Sequence, residues 1–406
     1  MHARLLPMAD GRGGFAYLAT ALRRERQGCD HCLVLNCGDL VQGTPVSSIY
    51  RGMPIFEIAN RLGFDAATLG NHEFDYGWEV GRKYLEAARY PIVAANLVDG
   101  NGKLLLEKPY VILKAGGMRV AVVGAMTTDL YRLQIPATLG KIRATPVPAA
   151  VKRYLPEMRA HADVVVLLGH LSPEDEEDVR KNLQEVQVVI SGHTHSGLKE
   201  LVHSGEQWLV RTQANGVEFG RLDLQVDVGA KKVLSASWRR IPVDSRTLPP
   251  AEDVAQEIAS WENKVAAIMD VPIGEAKRTF QKAELKLLIE RALCEEMGAD
   301  LAFMGMGGIR DILPQGTILV RHVWNIFPFD NVVVMGTFTG AQLPPSVTAG
   351  KQIDPKKHYR LATNEFAAAN QSNPRELNTS GLDFPIRGPL QRDVIIQWIR
   401  KKKVIE

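Results

Sequence analysis

Three polar signatures in this chain each follow directly on an apolar run of strand length, and that arrangement constrains the fold more than any other feature. Asn36-Cys37-Gly38-Asp39 follows Leu33-Val34-Leu35, Gly169-His170 follows Val164 to Leu168, and Ser191-Gly192-His193-Thr194-His195 follows Val186 to Ile190. A fourth, the Gly70-Asn71-His72-Glu73-Phe74-Asp75 turn, brings an amide, an imidazole and a carboxylate together. Short β-branched runs of this kind, with Ile92 to Ala95 and Val120 to Val123 added, read as buried strands. Between them Phe15, Leu18 and Leu22 share one helical face, as do Ile55, Ile58 and Leu62. The alternation predicts an α/β layered domain with helices over the strands. Open α/β sheets bind ligands at the carboxyl ends of their strands, so Asp39, Asn71, His170, His193 and His195 are expected to meet in space.

A chain of 406 residues, 45% of them hydrophobic, can bury a sizeable core and divides more comfortably into two domains than one. The boundary is expected near Val243. There Pro242, Pro249 and Pro250 interrupt regular structure ahead of a helix with Val254, Ile258, Trp261, Val265 and Ile268 on one stripe. We therefore expect a catalytic domain over residues 1–243, a linker helix over 244–270 and a second domain over 271–406. In that second domain a helix from about Ala283 to Met297 precedes a glycine-rich turn ending Gly307-Gly308-Ile309-Arg310, and an aromatic turn follows at Phe327 to Asn331.

The formal net charge of +3 gives no basic excess to hold a nucleic-acid polymer. Lys401-Lys402-Lys403 reads as a solvated tail, no apolar stretch is long enough to span a bilayer, and no segment has the order of a secretory signal. Four cysteines do not make a disulfide framework. The Cys29-Asp30-His31-Cys32 spacing can hold zinc or do redox work, but a single such pair reads as a loop pair without chemistry; Cys37 reads as packed.

Two divalent ions a few Å apart hydrolyse phosphoesters by activating water and neutralising charge on the transferring group. Such a pair needs a bridging carboxylate with imidazole and oxygen ligands around it. Asp39, after a strand and a glycine, suits the bridge, and His193 and His195 can reach different ions from one turn. The donor set admits two divalent cations such as zinc, manganese, cobalt or nickel.

With these motifs in place, the chain resembles the 5′-nucleotidase and UDP-sugar hydrolase family of calcineurin-like metallophosphoesterases. The likeness runs from His2 to about Phe366 and is carried by Gly38 to Pro45, the Gly70 to Asp75 turn and Gly192 to His195 in family order. It implies a calcineurin-like α/β sandwich followed by a smaller α/β substrate-binding domain. It further implies Asp39 as the metal bridge, His2 and His195 on one ion, and Asn71, His170 and His193 on the other. His72 would stabilise the transition state, oriented by Asp75, while a metal-activated water attacks. Arg310 would bind substrate phosphate, and Phe329 and Phe366 would stack a nucleobase. The implied substrates are nucleoside monophosphates, with 2′,3′-cyclic nucleotides or UDP-sugars as alternatives. The family is often periplasmic or extracellular, which leaves localisation open.

The likeness also has gaps. The family begins with a buried strand ending in aspartate, any residue, then histidine; here the match begins Met1-His2-Ala3-Arg4, without the aspartate and with open sheet edges expected. A catalytically weakened nucleotide-binding homologue is therefore a second expectation. Gly305 stands where the family has asparagine, and Ala367-Ala368-Ala369-Asn370 replaces a glycine-aspartate-glycine turn, so phosphoester chemistry is better specified than nucleotide choice.

Overall fold

A six-stranded sheet scaffolds the amino-terminal unit of the computed structural model, which describes residues 1–29, 31–134, 140–369 and 377–406. From edge to edge its strands are Tyr110–Ala115, Met118–Met126, Val164–His170, Val188–Ser191, Gln207–Arg211 and Val202–Ser204. The four central strands are parallel, and both outer pairs are antiparallel. Register places Val123, Leu167, Val189 and Leu209 in one row across the sheet and Val122, Val166, Val188 and Trp208 in the next.

Successive side chains on a strand face opposite ways, so the two rows build two cores. The first packs on Val147, Val151, Leu155, Met158 and Val179, which come from the helices Val147–Lys152, Leu155–His161 and Pro173–Asn182. The second faces Leu35, Leu222 and Leu224, carried by two separate ladders: Leu35–Asn36 parallel to Ala66–Ala67, and Glu218–Asp227 antiparallel to Lys232–Pro242. Among the described residues, Leu35–Asn36 and Glu218–Asp227 each have a single strand partner. Their other edges line a cavity of about 550 Å³, whose walls include Val166, Ile190, Leu222 and Leu224.

Two expectations need correction. Ile92 to Ala95 is no strand: it makes one bridge, Ala67 to Ile92, after which the Ala94 and Ala95 N–H groups bond the carbonyls of Lys108 and Gly124. Its backbone is thus satisfied by three different segments, which periodicity cannot foresee. On the Glu252–Met269 helix, Val254, Ile258 and Val265 are buried but Ile268 is 58% exposed, and Met269 takes its place in the stripe. A helix of 3.6 residues per turn makes position 269 as good a continuation from 265 as 268.

Contacts divide the chain into Met1–Gln42 with Ile49–Glu262, and Gly43–Ser48 with Asn263–Glu406. That division falls inside the Glu252–Met269 helix. The carboxy-terminal unit holds a four-stranded sheet in the order Leu301–Ala302, His358–Asn364, Val332–Thr339, Ile386–Leu390, and a three-stranded sheet of Gly316–Leu319, Pro272–Ala276 and Val404–Ile405. Its Lys282–Met297 helix buries Leu285, Ile289, Ala292 and Leu293 and ends at Gly298, whose φ of +62° is the left-handed conformation that closes helices at low cost. No helix among the described residues is long and apolar enough to cross a membrane.

The unequal faces of the large sheet are testable by denaturant unfolding. Leu167→Ala, in the packed core, is expected to cost about 2–5 kcal/mol. Ile190→Ala, beside the cavity, should fall at or below the low end of that range, at roughly 2 kcal/mol or less; equal losses would mean the two faces are equally well packed.

Candidate metal centre

Each candidate ligand in the amino-terminal unit stands at the end of a strand or in a turn nearby. His170 ends Val164–His170, and Gly169 lies in register with Ser191 on the neighbouring strand, so the Gly192 to His195 turn leaves the sheet alongside it. Asp39 lies just past Leu35–Asn36, and Asn71 and His72 open a short 3₁₀ helix beyond Ala66–Ala67. Because those two strands are parallel neighbours, their turns meet. The approach depends on glycine on both sides: a Cβ on Gly38 would lie 2.2 Å from the Gly70 nitrogen, and one on Gly70 2.1 Å from Asp39 Oδ1. His2, Asp39, Gln42, His193 and His195 all have positive φ, between 52° and 73°. Such backbone costs roughly 1–3 kcal/mol per residue and concentrates where side chains must be aimed.

The aim is convergent. His2 Nε2 lies 2.8 Å from His195 Nε2 and 3.8 Å from Asp39 Oδ2, so the donor atoms of His2, Asp39 and His195 fall within 4.8 Å of one another. At the same Asp39 oxygen, His170 Nε2 is 3.2 Å from Oδ2, and it lies 3.1 Å from Asn71 Oδ1 and 3.2 Å from His193 Nδ1. Two donor groups thus share one carboxylate. His170 turns its Nδ1 to the Cys37 carbonyl at 2.7 Å, the bond that fixes the tautomer and orientation of a metal-ligating imidazole.

Electrostatics favour cations here. Burial raises the pKa of the Asp39 carboxyl, but the imidazoles of His170, His72 and His2 outweigh it and hold it well below the usual carboxylate range. Burial, helped by His170, lowers the His193 pKa to about 3, so the ring is neutral and has a lone pair to give. Four imidazoles, an amide oxygen and an anionic carboxylate crowd nitrogen against nitrogen at distances that need a proton or a cation between them. This donor set suits zinc, manganese, cobalt or nickel.

His72 is set apart from these donors. Its Nδ1 meets Asp75 Oδ2 at 2.7 Å, Gln42 Nε2 donates to the same oxygen at 3.0 Å, and its ring lies edge-on to His2, with centroids 5.2 Å apart. The remaining histidines have other surroundings: His203 stacks on Trp208 at 3.6 Å, and His322 Nδ1 accepts the Leu319 N–H at 3.1 Å. At the cysteine pair, of which Asp30 lies outside the described residues, the Cys32 thiol donates to the Cys29 carbonyl. Burial, with the bond to Cys29, raises the Cys32 pKa to about 11, and burial alone takes Cys37 to about 12. Neither is a thiolate near neutrality.

Residues 1–197 match the calcineurin-like phosphoesterase model, and residues 264–346 match the 5′-nucleotidase C-terminal domain. The UshA protein of Escherichia coli K12 is 25% identical over 464 aligned positions, spanning 92% of this chain and 84% of that protein. The fold matches the 5′-nucleotidase precursor of Thermus thermophilus with a TM-score of 0.87 at 22% identity, covering all of this chain and 95% of the other. It also matches the sulfate thiohydrolase SoxB of the same organism with a TM-score of 0.84 at 19% identity, over 97% and 81% of the two chains. The chain combines a calcineurin-like phosphoesterase domain with a 5′-nucleotidase C-terminal domain. It is a phosphoric ester hydrolase, and calcineurin-like phosphoesterases use divalent metals.

Within the 5′-nucleotidase C-terminal domain, the structure brings Arg310 and Phe329 together. The Arg310 backbone N–H bonds the Ile326 carbonyl at 3.0 Å, and its guanidinium carbon lies 5.7 Å from the Phe329 ring centre. Phe366 sits in the short helix Glu365–Ala368, whose loop is tied to that of Phe329: Glu365 accepts the Val332 N–H, while Gln391 bonds both Asn331 and Asn364. Asn370 lies outside the described residues. Arg278 pairs with Glu284 and covers the Phe280 ring.

Sequence reading of this 5′-nucleotidase relative missed Gln42, which steadies Asp75, and gave no role to Glu73. Gln42 sits within the Gly38 to Pro45 motif, so position alone was a signal; its partner was not. If the Asp75 bond orients His72, Asp75→Asn should lower kcat/KM by about 10²–10⁴-fold with bound metal unchanged. Loss of metal in that variant would place Asp75 in the metal site instead.

Proposed function

We propose that this protein hydrolyses nucleoside monophosphates or closely related nucleotides by in-line attack of water at a dinuclear metal site. The observation that carries the reading is the sharing of Asp39 by two donor groups: His2 with His195, and Asn71, His170 and His193. Divalent cations, when bound, supply a lowered water pKa and charge neutralisation on the phosphoryl group.

The chain's own residues do the rest. Asp39 would hold both ions, kept anionic by its imidazole neighbours. His170, buried and fixed through Nδ1, presents Nε2 to the shared carboxylate. With its Nδ1 engaged by Asp75, His72 acts through Nε2, donating to a phosphoryl oxygen as charge develops there. In the carboxy-terminal unit Arg310 offers a guanidinium fork for phosphate, and Phe329 beside it offers a face for a nucleobase. Among finer choices, 2′,3′-cyclic nucleotides and UDP-sugars meet the same groups, and each presents the base that Phe329 and Phe366 would stack.

The test is phosphate release from AMP, with and without divalent ions. Chelation, Asp39→Asn and His193→Ala should each abolish turnover; full activity in metal-free buffer would overturn the reading. Nucleotide choice is read separately. Phe329→Ala and Phe366→Ala should raise KM for AMP by roughly 10-fold, the worth of one stacked base, while KM for p-nitrophenyl phosphate stays constant. Equal changes on both substrates would remove the stacking role.

A further inference from the structure

We propose that Glu73 is the positioning residue of the metal centre, a buried carboxylate that binds no substrate but fixes the bridging Asp39 against the Asn71–His72 turn. The proposal rests on the reading that the cluster holds divalent cations. Glu73 is 1% exposed, yet its carboxylate forms no ion pair among the described residues. Instead it accepts four backbone N–H groups. Oε2 takes those of Gly70 at 2.6 Å and Asp39 at 2.9 Å, and Oε1 takes those of Leu40 at 2.8 Å and Val41 at 3.3 Å.

The acceptors and donors interlock across the two turns. Glu73, on the second turn, holds the N–H of Asp39 on the first, while Asp39 Oδ1 accepts the N–H of His72 on the second at 3.1 Å. Asp39 lies in the left-handed region, with φ of 52°, so some interaction must hold its backbone there. Three consecutive N–H groups, from Asp39 to Val41, converge on a single carboxylate, and that suffices. Oε2 alone spans both turns, and Oε1 adds the N–H groups of Leu40 and Val41, so both oxygens are engaged as acceptors. A glutamine of the same shape would replace one oxygen with an NH₂ pointed at N–H donors, so half the latch would become repulsive.

The experiment measures Mn²⁺ binding by calorimetry in the full chain, comparing wild type, Glu73→Gln and Met158→Ala. Met158 is fully buried in the other core, on the Leu155–His161 helix, so its truncation lowers stability without touching the turns. Glu73→Gln should weaken Mn²⁺ binding about 10–100-fold, the usual effect of losing a group that orients metal ligands, with far-ultraviolet circular dichroism preserved. Met158→Ala should bind as wild type does. If Glu73→Gln does not fold, Glu73→Asp keeps the charge but shortens the reach by one methylene, and the same threshold applies. Wild-type affinity in the folded Glu73 variant would overturn the positioning role alone. Failure of wild type itself to bind Mn²⁺ would overturn the metal reading and this inference with it.

Discussion

A buried carboxylate that must stay ionised shapes the amino-terminal unit. Asp39 is 3% exposed and surrounded by imidazoles, and an uncompensated charge there would cost several kcal/mol. Imidazoles and a backbone N–H supply compensation. His170 and His2 both approach one of its oxygens, and the His72 N–H bonds the other. The parallel strands that carry these groups are held by apolar rows on both faces of the sheet, so side chains far apart in sequence arrive within hydrogen-bond distance of one carboxylate.

The same demand explains local features that would otherwise look like defects. Positive φ at His2, Asp39, His193 and His195 accompanies the convergence of these donors, and the glycine pair Gly38 and Gly70 lets two turns approach closer than any side chain would permit. Rigid cores on strands and strained backbone in the turns divide the labour: the first supplies position, the second direction. In the carboxy-terminal unit, Gln391 and Glu365 similarly tie the Phe329 and Phe366 loops together.

Much of this was legible in the sequence because strand length, β-branched content and a trailing polar signature are all local. Val164 to Leu168 and Val186 to Ile190 announced their strands, and the ends of those strands announced His170, His193 and His195. Ile92 to Ala95 carries the same apolar signal but lies where three different segments share its hydrogen bonds, so composition pointed to a ladder that does not form. Ile268 failed for a smaller reason, a choice between positions 268 and 269 on one helix face. Gln42 and Glu73 were invisible for a different one. Their partners are the Asp75 carboxylate and backbone N–H groups of another turn, and a backbone amide leaves no trace in the choice of residue that carries it.

The central claim is that Asp39 joins two cation sites, and the most direct measurement is metal content. Protein saturated with Mn²⁺ or Zn²⁺, freed of excess ion and analysed by elemental mass spectrometry, should carry two ions per chain, and Asp39→Asn should carry neither at comparable occupancy. A wild-type stoichiometry of one or none, or two ions retained after Asp39→Asn, would contradict it.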